Sequence, residues 1–216
     1  MNTPISKETV FTLWLRRIAS VIFLGLFLFE LANLLGILTF NVEYTWRGRV
    51  FSTAFVFCEA ALLDWILQKY AHIRLHGMVW FAVIVLILVD FFGDVSNLYA
   101  RWSWYDQVAH FLGGPILVGT FVCVYEDLAP ILKWNHPRYV TTGMAYGTSL
   151  LFAVLYEMQE YIEDIIFHSN RLGDGVDTAN DLLMNLIGGL VTIAGIWFYR
   201  TSIQPSRNKK IPTRSS

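Results

Sequence analysis

The sequence predicts an all-α protein, a polytopic membrane helix bundle with about six transmembrane helices and both termini cytoplasmic. Three observations predict it. Of the 216 residues, 55% are hydrophobic and only 15% charged, with a mean hydropathy of +0.48, against about 25% charged in a typical soluble domain. Six segments approach the roughly 20 apolar residues needed to cross a hydrocarbon core. Lysine and arginine also fall unevenly on the loops between those segments, as membrane topology requires.

The first segment, Ile18–Phe40, follows Lys7, Arg16 and Arg17. It is too long for the apolar region of a signal peptide and no small-x-small cleavage site follows, so it reads as a retained span. Val50–Leu67 is short. Met78–Leu98 carries Asp90 and Asp94 near its end. Asp106–Tyr125 contains Gly113-Gly114-Pro115. Pro115 lacks an N–H and disfavours the α region at Gly114, which predicts a kink or break and a short outer half-helix bearing Asp106 and His110. Tyr139–Phe167 opens with the small-xxx-small pair Gly143 and Gly147, a helix-packing signal, and later carries Glu157 and Glu160. Thr178–Tyr199 contains Gly188-Gly189. Residues 1–200 form a single transmembrane helical domain on this reading, and 201–216 a basic, disordered cytoplasmic tail. Cys58 and Cys123 lie inside apolar runs and form neither a disulfide framework nor a metal knuckle.

With both termini inside, the inner face collects Lys7, Arg16, Arg17, Lys69, Arg74, Lys133, Arg138, Arg200 and the tail residues Arg207, Lys209, Lys210 and Arg214. The outer face keeps only Arg47, Arg49, Arg101 and Arg171. That is twelve of the 16 basic residues against four, the expected positive-inside bias. Trp14, Trp65, Trp80, Trp134 and Trp197 fall near inner ends and Trp46, Trp102 and Trp104 near outer ends, as two aromatic belts. The expected location is a cell membrane, of the bacterial inner-membrane type, and the expected partner is the lipid bilayer. A net charge of −1 gives no reason to expect nucleic acid, and protein partners cannot be read from it.

On this topology the polar residues at membrane depth converge on the extracytoplasmic third. Asp90 and Asp94 end the third span there, and Asp106 and His110 begin the fourth one turn apart. Glu157 and Glu160 lie about 27–32 Å along the fifth span at 1.5 Å per residue. Asp177, Asp181 and Asn185, spaced by four, line one face of the sixth. Glu30 and Asn33 occupy the outer half of the first. Several of these have plain structural readings: Asp106 and Asp177 as helix N-caps, Thr178-x-x-Asp181 as a capping box, His110 as a core histidine paired with Asp106, and Glu163 and Asp164 in the headgroup zone. Together the acids outnumber the nearby cations, so some carry protons, meet solvent or hold a metal. Asp106, His110, Glu157, Glu160, Asp177, Asp181 and Asn185 are therefore the candidate catalytic residues. Carboxylates beside a histidine suit acid–base work and would also hold a divalent metal. The Glu-x-x-His di-iron pattern and the HExxH, GxSxG, Walker and Rossmann patterns are absent. His72 and His76 fall in a basic inner loop.

The stretches Tyr105-Asp106-Gln107-Val108-Ala109-His110-Phe111, Tyr156-Glu157-Met158-Gln159-Glu160-Tyr161 and Asp177-Thr178-x-x-Asp181-x-x-x-Asn185-x-x-Gly188 resemble the uncharacterised YjdF-like inner-membrane proteins. More distantly they resemble the VanZ-like family, with its similar order of acid and histidine, glutamate pair, then acid and asparagine. The likeness runs from Asp90 onward, while the first two spans match only as hydrophobic helices. It implies a multipass bacterial membrane protein and no particular reaction. Three readings stay open: an enzyme acting on a lipid or lipid-linked envelope substrate, a proton- or cation-coupled transporter, and a structural or accessory membrane protein. Transport predicts a second polar cluster further in, for which the sequence offers Glu59 and Asp64.

Overall fold

The structure is a computed structural model, and it describes residues 10–42 and 45–203. Seven α-helices follow in order: α1 (Val10–Leu34), α2 (Trp46–Ala71), α3 (Gly77–Val95), α4 (Leu98–Arg101), α5 (Tyr105–Ile131), α6 (Arg138–Phe167) and α7 (Gly175–Phe198), closed by a π-helical turn (Tyr199–Ile203). No strand forms among the described residues. Among the described residues five helices are long and apolar enough to cross a membrane: α1, α2, α3, α5 and α7. At 30 residues α6 is the longest helix, about 45 Å, but Thr and Ser in its first half and Glu157, Glu160, Glu163 and Asp164 in its second make it less apolar. Large hydrophobic side chains cover the outside of the bundle, including Val21 at 71% exposure and Val191 at 55%. In water such surface would drive aggregation; in lipid it is the natural exterior.

Local signals set the helix ends. Thr45 caps α2 by accepting the Gly48 N–H at 3.1 Å. This begins the helix four residues before the apolar run and includes Arg49. His72 stops α2 in the left-handed region, and His76 starts α3 by accepting the Met78 N–H on Nδ1 at 3.1 Å; both histidines act as caps. Asn97, also left-handed at φ 53°, separates α3 from α4. The last residues of α1 are held by Asn33, which donates to the Phe29 carbonyl and accepts the Phe40 N–H at 2.9 Å.

Helices α1 to α3 pack around Ala19, Ala60, Leu75, Val79, Trp80 and Val83. Trp80, expected in an interfacial belt, is instead 2% exposed within this core. Helices α5 to α7 pack around Val118, Phe121, Val122 and Ala145. In that second group the backbones of α5 and α7 touch. A Cβ at Gly114 would stand 2.5 Å from the Asn185 carbonyl oxygen and 2.6 Å from the Gly189 nitrogen, and one at Gly188 would overlap the Phe111 carbonyl. Gly143 and Gly147, the expected packing pair, face open space instead.

Of the kink or break expected at Gly113-Gly114-Pro115, the break does not occur: α5 runs on as one helix through Pro115 and Pro130. Pro115 leaves the Phe111 carbonyl without its helical donor, and that oxygen lies against Gly188 of α7. The glycine contact of α7 thus fills the place where the helix would otherwise need to open. Tyr199–Ile203 continues as the π turn; of the expected disordered tail 201–216, residues 204–216 lie outside the described residues.

Candidate functional site

At the end of the bundle that holds Trp102 and Arg171, two polar layers meet. The first is built on two buried arginines. Arg49 is 0% exposed: its Nη2 donates to Glu30 Oε1 at 3.1 Å, and its Nη1 bonds Asp90 Oδ2. Asp94 Oδ2 lies 2.9 Å from the same Nη1, a third carboxyl against the one guanidinium. Arg171, in the loop between α6 and α7, donates from Nη2 to Asp90 Oδ1 at 2.8 Å and to Tyr156 Oη at 3.0 Å, and from Nε to Glu160 Oε1 at 3.2 Å. Asp90 therefore bridges two guanidiniums. Burial works against the charge of Arg171, yet Asp90, Tyr156 and Glu160 hold its pKa above the usual guanidinium value. Burial also pushes the Tyr99 phenol up, with Asp90 adding to it, so Tyr99 stays a neutral donor to that carboxylate.

The loop that delivers Arg171 is tied down by Asp164, whose carboxylate accepts the Ser169 hydroxyl and the N–H groups of Arg171 (2.7 Å) and Leu172 (3.0 Å). Glu163 is 0% exposed and accepts the Ser52 hydroxyl at 2.8 Å, while Gln159 donates to Ser52 at 2.8 Å. Neither acid sits idle in a headgroup zone, as the sequence led one to expect: helix α6 turns both inward onto α2 and onto its own following loop.

The second layer follows from the glycine contact. Because α5 and α7 touch at Gly114, Gly188 and Gly189, the residues one turn away on each helix, His110 and Asn185, meet. Asn185 Nδ2 stands 3.0 Å from His110 Nδ1 and donates to the Asp181 carbonyl at 3.0 Å. Turning the amide over would set two carbonyl oxygens against each other, so the asparagine presents an N–H to Nδ1. This fixes the neutral tautomer with its proton on Nε2. That nitrogen faces Asp106 Oδ1 at 3.6 Å and Asp181 Oδ1 at 3.8 Å, and Nδ1 lies 3.9 Å from Glu157 Oε1. The carboxyls of Asp106 and Asp181 are within hydrogen-bonding reach of each other. Glu157 is 5% exposed, and neither of its oxygens has a donor; Asp181 Oδ1, on a residue 2% exposed, has none either.

Asp106, His110, Glu157, Asp181 and Asn185 thus come together. Glu160 belongs with Arg171 in the first layer. Asp177 stands one turn before Asp181 and lines the chamber described next. The expected caps are corrected: Trp104 takes the N-cap position of α5, and Asp174 caps α7, accepting the N–H groups of Val176 and Asp177 at 2.8 and 3.0 Å. The Asp106 and Asp181 carboxylates are free of that duty, and Thr178 donates to backbone carbonyls instead. Arg49 and Ser52 were not singled out as site residues from sequence, and Tyr156 entered only as part of the stretch that carries the family resemblance. Arg49 was counted as an outer-loop charge, although an arginine one turn into a capped helix was the available signal.

Ligand atoms of Asp106, His110 and Asp181 lie within 4.8 Å of one another, the donor set a small divalent cation would use. Binding on Nε2 would require the proton on Nδ1 and hence a turned Asn185 amide that gives up its bond to the Asp181 carbonyl. The hydrogen-bond pattern fits a proton at Nε2 better than a metal.

Two cavities converge here. A polar chamber of about 160 Å³ is walled by Ser103, Asp106, Gln107, Glu160, Arg171 and Asp177. A larger cavity of about 390 Å³ runs between α2, α3, α5 and α6 along mostly apolar walls. Tyr99, His110 and Tyr156 line both.

A family model described as "Predicted membrane protein (DUF2238)" matches residues 19–202. The chain belongs to the DUF2238 family. The match takes in α2, α3 and most of α1, so the DUF2238 relationship extends well before Asp90, where the sequence resemblance began. YjdF-like proteins are members of DUF2238, in line with that resemblance; a VanZ-like relationship does not follow from it. No curated protein and no solved structure matches the chain. As a DUF2238 member it is a multipass membrane protein.

Proposed function

We propose that this protein is a membrane enzyme performing acid–base chemistry on a lipid or lipid-linked envelope substrate, in a bundle of six spans with both termini cytoplasmic and the acidic end extracytoplasmic, in the bacterial inner membrane. The sixth span is α6, whose acids turn to the interior rather than to lipid. The observation that carries the reading is the junction of a polar chamber with an apolar cavity at His110, beside a Glu157 carboxyl with no donor to either oxygen and an Asp181 Oδ1 with none. An unbonded buried carboxylate costs several kcal/mol and serves no bracing purpose, whereas it is what a base or a proton relay requires. His110 donates a hydrogen bond from Nε2 to the reacting group and keeps its proton, Asp106 or Asp181 takes the substrate proton as base and returns it as acid, Asn185 holds the tautomer, and Glu157 is the third carboxyl against the ring.

Transport has less support. The polar groups on the opposite side are already engaged: Asp64 accepts from Arg74 at 3.2 Å and from the Leu75 N–H at 2.9 Å. Between Asp64 and His110 the cavity is mainly apolar, with Glu59 as its one acid on the way. Mass spectrometry of lipids and lipid-linked glycans tests the proposal in cells producing the wild type, His110→Gln or Asp181→Asn. The wild type changes the abundance of at least one species and neither variant does. Identical profiles for wild type and both variants, at matched expression, would refute an enzyme of this kind.

A further inference from the structure

We propose that the substrate is an amine-bearing amphiphile whose hydrocarbon chain enters sideways from the bilayer between α2 and α6 and lies in the 390 Å³ cavity, placing its ammonium headgroup in the acidic chamber. The inference rests on the acid–base reading and adds the class of substrate. Three features carry it.

The cavity volume lies within the about 300–1,000 Å³ usual for ligand sites. Its walls are Val83, Ile87, Leu117, Phe121 and similar side chains, so its occupant is hydrocarbon. Its rim is open on the lipid side: Leu62 and Ile66 of α2 and Leu155 of α6 line it and are 57%, 38% and 39% exposed. A chain already dissolved in the bilayer enters there without crossing water. The polar end of the cavity is lined by Asp90, His110 and Tyr156, and His110 and Tyr156 line the chamber as well.

The charge of that chamber selects the headgroup. Asp106, Glu160 and Asp177 line it, and Arg171 is its one basic wall residue besides His110. Asp90, Glu160 and Tyr156 already take hydrogen bonds from that guanidinium. Just behind lie Glu157 and Asp181, more than nine-tenths buried and with oxygens that no donor reaches. A phosphate or sulfate headgroup would meet like charge on most sides, whereas an ammonium brings the donors these oxygens lack.

Photo-crosslinking of the full-length protein in nanodiscs tests both halves. The probe is a hexadecylamine carrying a mid-chain diazirine, and labelled peptides are mapped by mass spectrometry. Labelling is expected at cavity residues such as Leu63, Leu117 and Phe121, suppressed at least tenfold more effectively by unlabelled hexadecylamine than by hexadecyl phosphate. A hexadecyl glycoside of an amino sugar, run as a second competitor, distinguishes a simple amine head from a sugar-borne one. Labelling confined to lipid-facing residues such as Leu190 and Val191 overturns the chain site. Cavity labelling that the phosphate suppresses equally well overturns the amine headgroup. Neither outcome touches the lipid-profile test of acid–base chemistry, so the two proposals fail separately. Leu155→Trp narrows the lipid-side opening at an exposed position where folding is undisturbed; it should slow labelling at least threefold, and unchanged labelling would overturn the entry route.

Discussion

Replacing Arg49 by methionine keeps much of the side-chain volume and removes the cation. Glu30 and Asp94 are both 0% exposed and Asp90 lies beside them, so the substitution leaves three carboxyls around an apolar thioether. Removing one partner of a buried pair typically costs about 3–5 kcal/mol, chiefly because the other charge stays buried alone. For a chain of this size 1 kcal/mol corresponds to about 2–4 °C in Tm, so Arg49→Met should lower the melting temperature in detergent by about 6–20 °C. The internal control is Arg200, which donates to Glu126 at 2.8 Å but in a pair whose side chains are 21% and 50% exposed. An exposed pair is worth about 0–1 kcal/mol, so Arg200→Gln should shift Tm by less than about 4 °C. Thermal unfolding followed by tryptophan fluorescence measures both. The triple variant Arg49→Met, Glu30→Gln, Asp94→Asn should recover part of the loss, because the uncompensated charge has gone. A shift below about 2 °C for Arg49→Met, or no recovery in the triple variant, would refute the claim that this network is buried and charge-paired.

At the helix contact, Gly114→Ala drives a methyl into the Asn185 carbonyl and should destabilise by about 1–3 kcal/mol; Gly143→Ala, whose Cβ meets nothing within 4 Å, should be neutral or stabilise by up to about 1 kcal/mol, and equal melting temperatures would contradict the α5–α7 contact. Reporter fusions after Ser216 and within 68–76 should report the cytoplasm and fusions beside Trp102 or Arg171 the outside; an outward C-terminus would invert the proposed site. Nitrogen-15 spectra of histidine-labelled protein should show His110 protonated on Nε2, and Asn185→Leu should redistribute the proton between both nitrogens; a wild-type Nδ1–H form would contradict the role given to Asn185.

The helical bundle was legible because its cause is coarse: apolar runs of membrane length leave few alternatives. The helix ends were less so. Span one was placed at Ile18–Phe40, but α1 covers Val10–Leu34, since hydropathy does not record that Asn33 and Gly36, at φ +73°, turn the chain. The grouping of Asp106, His110, Glu157 and Asp181 at one level followed from topology and helix rise alone. What could not be read was which acid faces which partner. Glu157 and Glu160 lie three residues apart, yet one meets an imidazole and the other a guanidinium, because Arg171 returns from a loop that Asp164 folds. The burial of Arg49 and the unbroken passage of α5 through Pro115 depend likewise on neighbours distant in sequence.

That division between Glu157 and Glu160 supplies the most direct test of the central claim, that the pocket around His110 acts rather than braces. Glu157→Gln and Glu160→Gln are compared for melting temperature and for the lipid profile of the cells that make them. Glu160 accepts from Arg171 at 3.2 Å, so its amide variant should lose about 1.5–3 kcal/mol, the worth of a charge-assisted hydrogen bond. Glu157 has no donor to lose, so Glu157→Gln should melt within about 2 °C of the wild type or above it while its lipid profile reverts to that of cells lacking the protein. A Glu157→Gln protein that melts far below the wild type, in cells whose lipids still match those made with the wild type, would contradict the claim and leave the carboxylate a structural member of the bundle.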